Sequence, residues 1–547
     1  MKIRRWSLVI NFIVCFLILN MTDARAQDSA QLTRLSQQII EAKTIEETFP
    51  AFQELTDMYS GNHAYNEYVA FLTSLKNKKQ SLEPVTQYYI GLTRYLQLNY
   101  LQEKQLWEEY FNQGASYRDE ATEVLTKTIA SLPSGDAVRL YSQLLLWKFY
   151  RDQQDTREQD ALSQLMSEVM RYAQGSSRNL LPLEETAQAL LDAQEKARAQ
   201  EVYRLYVKML LSSAVSDDEL KGFAQKFYEQ GSLDLSETLF EAYVDRLALA
   251  QTKEQVSPRL IEIAKKFSFG ALDPKKIDAV FAEKIFQKLE KIGGKEVFDE
   301  TLTYLRAFNL EKNKEYMAAR DMYQDLLQRF PGSSHAHEAL FKVGMISTYS
   351  AADPDAGKGL FQKLASESSS TAHTIAALYQ LGLLNQFQDN GAQAKEYYTA
   401  ALAQIDTLKQ KSNGASFDET ATLARQRMKE IDDKTGLDYN VKMFLEACLS
   451  QQPRAAAVSS VDLQAQPSLS RLGETIMVVS GAQAPESGCF DAQVQYLWSG
   501  HVGVTQPEVD DASFETSYSS SGTKEINLVV LSSGQVIDHS FIMLDLP

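Results

Sequence analysis

One spacing recurs through this chain of 547 residues and constrains its fold more than any other feature: a small residue, a second small residue twelve positions on, and a bulky residue four after that. Ala307, Ala319 and Tyr323 form one set, closed by Pro331. Gly344, Ala356 and Leu360 form the next. Gly382, Ala394 and Tyr398 form a third, with Leu378 and Leu381 before it and Ala401 after it. The three copies are offset by 37 and 38 residues. Ala187, Ala199 and Tyr203 repeat the spacing upstream, and Ala224, Ser236, Phe240 and Gly91, Glu103, Trp107 are weaker copies. Two antiparallel helices approach closely only where small side chains meet, and a bulky side chain one turn later fills the gap to the next pair. Such a chain is expected to stack helical hairpins.

The surroundings agree. From about residue 28 to residue 450 apolar residues recur at three- and four-residue spacing, and Gly and Pro fall mostly in short breaks. A helical stretch of this length without one dominant hydrophobic segment suggests roughly ten or eleven stacked helix pairs. About 520 residues after the leader described below exceed what one ordinary core holds, which also favours a repeat array.

The segment Tyr316 to Pro331, continuing to Gly344, resembles the tetratricopeptide repeat of bacterial envelope proteins of the outer-membrane-assembly and cell-division-coordinator type. The close match covers about residues 297 to 406. Thr303, Leu340 and Leu378 replace the bulky aromatic of the first helix, and residues 245 to 295 fit no register. The resemblance implies an inner groove lined by fixed positions of each first helix. Tyr304, Phe341 and Tyr379 take one of these positions, and Phe308, Met345 and Leu383 another. An apolar groove of this kind suits a peptide or helix of a protein partner. The alternative is that the chain covers its own groove, by curvature or with its C-terminal domain. In the upstream copy the same positions are Glu184 and Gln188, so binding is expected at the C-terminal repeats.

After Cys448 the composition changes. Residues 450–469 are rich in Gln, Ser, Ala and Pro and read as a linker. Short β-prone runs follow at Thr475–Ser480, Val494–Trp498, Phe514–Tyr518, Ile526–Leu531 and Phe541–Leu546, which suggests an immunoglobulin-like sandwich. The runs from Gly473, through Tyr496-Leu-Trp498-Ser-Gly500 and Phe514 to Tyr518, and from Gly522 resemble a polycystic-kidney-disease-type (PKD) domain. The resemblance implies a core tryptophan at Trp498 and a spacer or adhesive role without catalysis. The family's acidic, glycine-rich turn is replaced by Ser499 to Gly503, which argues against calcium there.

The expected fold class is therefore mainly α, a tetratricopeptide-like solenoid followed by a small all-β immunoglobulin-like sandwich. The expected divisions are a signal peptide at 1–26, divergent repeats at 27–296, clear repeats and terminal helices at 297–449, the linker at 450–469 and the sandwich at 470–547. The signal reading rests on Lys2, Arg4 and Arg5, the apolar run Trp6–Met21, and Ala24-Arg25-Ala26 before Gln27. Asn11 and Asn20 interrupt the run, which is too short for a membrane span. Val14 before Cys15 disfavours a lipid-attachment site. The expected address is periplasmic or secreted, with no membrane span after cleavage.

Charge and residue types then exclude chemistry. The net charge of −17 disfavours nucleic acid and anionic lipid. From Ala455 onward Arg471 and Lys524 face eleven acidic residues, which suits a cationic partner. Cys448 and Cys489 are candidates for a disulfide, the alternative being two buried thiols. His335 and His337 point about 200° apart on a helix and cannot share a metal. Phosphate-loop and nucleophile-elbow motifs are absent from the sequence. The acidic cluster Glu508, Asp510, Asp511 reads as a solvated loop, with calcium the alternative. No cofactor or metal is expected. The favoured function is a non-catalytic scaffold or adaptor for a protein partner. The alternatives are a glycan- or cell-wall-binding protein using Tyr496 or Tyr518, and an envelope hydrolase of unrecognised type.

Overall fold

A computed structural model describes residues 30–175, 179–270, 273–367, 371–411, 417–449, 463–466, 473–480, 494–502, 507–508, 511–532 and 534–546. The leader, Cys489, Asp510 and most of the stretch read as a linker lie outside the described residues. The chain divides into two compact units, one ending at Ser216 and one beginning at Asp217.

The first unit is helical. Its helices are α1 (30–41), α2 (Phe49–Gly61), α3 (Tyr65–Lys78), α4 (Glu83–Glu103), α5 (Trp107–Ser131), α6 (Ala137–Asp152), α7 (Glu158–Gln174), α8 (Leu181–Asp192) and α9 (Lys196–Ser212). From α4 onward they pair as consecutive hairpins. The second unit continues with α10 (Asp217–Glu229), α11 (Leu233–Ala250), α12 (Lys253–Phe269), α13 (Ala279–Gly293), α14 (Glu300–Lys312), α15 (Tyr316–Arg329), α16 (Ala336–Tyr349), α17 (Pro354–Ala365), α18 (Ala372–Phe387), α19 (Gly391–Lys411), α20 (Asp418–Asp433) and α21 (Tyr439–Leu449). Asp136, Asp278, Asp299, Asp353 and Thr371 start their helices by accepting backbone N–H groups of the first turn.

The small-residue contacts fall largely where the spacing puts them. Ala187, Ala199, Ala307, Ala319 and Ala394 are wholly buried, as are Tyr323 and Tyr398. A Cβ on Gly382 would stand 2.5 Å from Tyr398 Cε1, so the helices of that hairpin touch through the glycine. Two sets depart from expectation. In the set begun by Gly344, Ala356 is exposed and the contacts are made one residue later, by Gly357 and the fully buried Phe361. The cause is the connection: four residues (350–353) join α16 to α17, where three join α14 to α15 (313–315) and α18 to α19 (388–390). In the set begun by Gly91, Trp107 is 46% exposed and Gly91 meets Leu125 instead. Most of the described residues between 245 and 295 lie in α11, α12 and α13. They escape the register because nine residues (270–278) join α12 to α13.

The C-terminal region holds β1 (Leu463–Gln466), β2 (Ile476–Ser480), β3 (Val494–Gly500), β4 (Ser513–Thr516), β5 (Gly522–Ser532) and β6 (Gln535–Leu546). They form two antiparallel sheets, ordered β1-β2-β4 and β3-β5-β6. β1 lies inside the stretch read as linker. Its four residues give too short an alternation to register as a strand by themselves, yet Leu463 is fully buried. Leu463, Ile476 and Val478 of one sheet pack against Trp498, Ile526, Leu528, Val530, Ile542 and Leu544 of the other. Trp498 is 1% exposed and donates its indole N–H to the Asp511 carbonyl at 2.8 Å.

Candidate functional site: the repeat groove and its own sheet

Side chains alternate across a strand, so the sheet β3-β5-β6 has a second face. Leu497, Ser499, Glu525, Asn527, Val529, Leu531, Phe541, Met543 and Asp545 belong to it. Its apolar members share one core with Phe341, Met345, Tyr379 and Leu383 of α16 and α18. The sheet is thus covered on both sides, unlike most antiparallel sheets.

This placement answers where the six groove residues go. Phe341, Met345, Tyr379 and Leu383 are 3, 0, 5 and 4% exposed, and Phe308 is 6% exposed. Tyr304 is half-buried and stacks on His335 at 3.8 Å. These positions are not an open surface: Phe341, Met345, Tyr379 and Leu383 share their core with the second face of the chain's own sheet and with α21, because that much apolar area left in water is strongly unfavourable.

Specific polar contacts fix the seat. Phe541 stacks on Tyr316 at 4.9 Å, and the Tyr316 hydroxyl donates to the Phe541 carbonyl at 2.8 Å. The ammonium of Lys342 is fully buried and meets Asp545 of β6 at 2.7 Å, Glu311 of α14 at 3.0 Å and Glu338 at 3.5 Å. Burial alone would lower the Lys342 pKa, but Asp545 and Glu311 hold it well above the ordinary lysine value. Burial likewise pushes Asp545 up, and Lys342 and Lys312 bring it down to about 2. The pair is therefore ionised at neutral pH. Asn440 of α21 donates to the Trp498 carbonyl at 2.9 Å. Glu419 of α20 accepts from the backbone N–H and hydroxyl of Ser519 at 2.8 and 2.9 Å, and from Ser520.

The polar end of the same face is differently built. Glu525, 5% exposed, accepts from Gln380 of α18 and Asn527, with no ion pair among the described residues. Burial raises its carboxyl to about 7 against these two hydrogen bonds. His501 is buried beside it. Burial, with Lys524 nearby, lowers its imidazole to about 3, so the ring is neutral, and Nδ1 accepts the Glu525 N–H at 3.2 Å. A cavity of about 990 Å3 opens between this end of the sheet and α18, α20 and α21.

The other residues singled out by their sequence are placed as follows. Cys448 is 4% exposed within the same core as the groove residues, and Cys489 lies outside the described residues. Tyr518 is 1% exposed, its hydroxyl donating to the His501 carbonyl, and Tyr496 packs against the sandwich core. Neither offers an exposed ring to a sugar. Among the described residues no three His, Cys, Asp or Glu side chains converge to hold a metal ion, and no helix is long and apolar enough to cross a membrane. The residues that sequence reading missed are Lys342, Glu311 and Asp545. The signal was Lys342 itself: a lysine inside the apolar run Ala339–Ile346 must be paired if the run is buried.

Repeated helical hairpins joined through small-residue contacts make this a tetratricopeptide-like helical-repeat protein with a small β region. No family model and no curated protein matches the sequence. Among solved structures, a tetratricopeptide repeat protein from Parabacteroides merdae ATCC 43184 is similar over 60% of this chain and 98% of its own, at 13% identity and TM-score 0.20. The C-terminal part of a TPR repeat-containing protein from Cytophaga hutchinsonii is similar over 55% of this chain and 93% of its own, at 14% identity and TM-score 0.19. A structure of Naa15/Naa10 bound to HypK-THB is similar over 75% of this chain and 68% of that one, at 12% identity and TM-score 0.24. Likeness at this level carries nothing about partners or chemistry, and the repeat assignment stands on the helix packing described above.

Proposed function

We propose that the chain is an exported, non-catalytic scaffold that holds a protein partner on its N-terminal helical unit, while its C-terminal repeats hold its own β region. The observation that carries this reading is an exposed aromatic cluster at the start of α5. Leu106, Trp107 and Phe111 are 41, 46 and 75% exposed. The Trp107 ring lies 6.0 Å from Tyr110 and 6.2 Å from Phe111, so the three rings share one helix face. Exposed aromatic patches mark interaction surfaces, and aromatic side chains carry much of the binding energy at protein interfaces. The exported address belongs to the proposal and is supported by the leader-like first 26 residues. So does the PKD-type likeness of the β region, whose spacer role becomes here that of a plug for the groove.

The test is capture by chemical crosslinking from envelope extract, comparing wild type with Trp107→Ser/Phe111→Ser, followed by direct titration of the purified captured protein. Both substitutions are at exposed positions, so helicity and Tm should stay unchanged. The variant should bind at least tenfold more weakly. Equal binding by both proteins would sink the assignment to α5.

A further inference from the structure

The hairpin of α4 and α5 is longer than the one after it: α4 has 21 residues and α5 has 25, against 16 in α6 and 17 in α7. α6 packs along one flank of this hairpin and stops partway. At its end the Tyr95 hydroxyl of α4 donates to Asp152, the last residue of α6, at 2.7 Å, and the Tyr95 ring meets Phe149 edge-on at 5.1 Å. Gln102 stands two turns beyond Tyr95 and therefore on the same face of α4. It donates to the Tyr110 hydroxyl at 2.7 Å, and the Tyr110 ring lies 5.7 Å from Phe111 and 6.0 Å from Trp107. The aromatic cluster thus continues, about 10 Å further out, the flank that α6 covers. The flank of two packed helices is a groove that takes a third helix, and α6 fills it as far as Asp152. Beyond that point Trp107 and Phe111 are 46 and 75% exposed.

Charge selects which helix fits. At the turn, Lys104 meets Glu103 at 3.2 Å. From Gln105 to Asp119 the one Lys or Arg is Arg118, which lies over the Tyr110 ring at 5.4 Å. Against it stand Glu108, Glu109 and Asp119, none of them in an ion pair among the described residues. The surplus is acidic, so the complementary surface is basic. An amphipathic helix with Lys or Arg beside its apolar stripe matches both the shape and the charge. A second copy of this chain does not, since a two-fold contact here would set the acidic residues of one copy against those of the other. We infer that the overhang of α4 and α5 docks a basic amphipathic helix of a protein partner, its apolar stripe on Leu106, Trp107 and Phe111 and its cations beside Glu108 and Glu109. This inference deepens the reading of the α5 cluster as a partner site and rests on it.

The experiment is fluorescence anisotropy on the full chain with three labelled peptides of about five helical turns. The first carries Leu along one helical stripe and Lys elsewhere, the second has Glu in place of Lys, and the third is the first one scrambled so that no stripe remains. The striped basic peptide should bind at least tenfold more tightly than either of the others. Trp107→Ser/Phe111→Ser should weaken it at least tenfold, and Glu108→Gln/Glu109→Gln at least fivefold. These four positions are exposed or half-buried, so helicity should stay unchanged. Equal binding of the scrambled or the Glu peptide would overturn the inference. So would unchanged binding by Glu108→Gln/Glu109→Gln, which assigns the attraction to the acidic chain at large. If no peptide binds while capture from envelope extract is still lost in Trp107→Ser/Phe111→Ser, the helix is overturned and the partner site stands. If neither peptide nor captured protein depends on these rings, the site itself falls. Flotation of the wild type, but not of Trp107→Ser/Phe111→Ser, with phosphatidylcholine vesicles and without peptide binding would overturn the inference in favour of a bilayer.

Discussion

Two helices that begin equivalent hairpins, α8 and α18, have opposite surroundings. α8 buries one stripe, including Leu183, Thr186, Ala187 and Leu190, and leaves Leu181 49% exposed and Gln188 in solvent. α18 buries every residue from Thr374 to Gln386 except Ala376. A helix buried on one stripe can face water; one that is apolar all round has to be covered all round. The surplus apolar positions of α16 and α18 are therefore the imprint of the sheet that sits on them. The same holds for β5, where Ile526–Leu531 is apolar on both faces but for Asn527 and is buried on both.

The comparison breaks most visibly at Lys342. In Lys342→Met the carboxylates of Glu311, Glu338 and Asp545 are left together without their cation. Removing one partner of a buried pair costs about 3–5 kcal/mol. At the polar, exposed position of the N-terminal hairpin, Gln188→Ala should stay within about 0.5 kcal/mol. Hydrogen exchange read by mass spectrometry checks both, because it reports local opening. Lys342→Met should speed exchange in α16 and β6 and leave α8 and α9 at the wild-type rate. An unchanged rate in β6 would mean that the ion pair does not hold the sheet.

A smaller effect sharpens the comparison through pH. Glu525 is raised from 4.5 to about 7, so its contribution to seating the sheet is complete below about pH 4.5 and is lost as pH rises through 7. His501 runs the other way. Lowered from 6.5 to about 3, it contributes above pH 6.5 and loses that contribution as pH falls. The wild-type profile between pH 5 and 8 is thus a partial cancellation. Glu525→Gln removes one side of it, so relative to wild type the variant should gain protection of β5 and β6 by about 1–3 kcal/mol across that range. Parallel profiles for the two proteins would show that Glu525 does not titrate there. α8 and α9 should show no difference at any pH.

How much of this could be read from residues alone follows from range. The hairpin contacts are local, and the spacing of Ala307, Ala319 and Tyr323 showed them. The strand pattern of Ile526–Leu531 was visible as well. What covers the groove was not, because the contacts of Lys342 with Asp545 and of Tyr316 with Phe541 span 203 and 225 residues. Period analysis sees one element at a time and leaves an apolar face without saying what meets it. The lysine in α16 and the two-faced apolar strand were the available signs, and each makes sense only beside the other. The one-residue shift at Gly357 was hidden for a simpler reason: a constant spacing of twelve assumes a constant turn, and one turn is longer.

That longer turn gives the smallest and cleanest comparison. Ala352, between α16 and α17, stands at φ 52°, and Gln194, between α8 and α9, at φ 64°. Left-handed backbone costs a residue with a Cβ about 1–2 kcal/mol, and glycine avoids this. Glycine also loosens the unfolded chain by about 0.4–1 kcal/mol, so Ala352→Gly and Gln194→Gly should each stabilise by roughly 0.5–1 kcal/mol. Urea unfolding followed by circular dichroism, with exchange to assign the gain to each hairpin, measures this. Similar gains at both sites would show that the turn is a local property of the hairpin, indifferent to whether a sheet covers the helices it joins. A gain at Gln194 alone would mean that the covering sheet, rather than the turn, sets the spacing of α16 and α17.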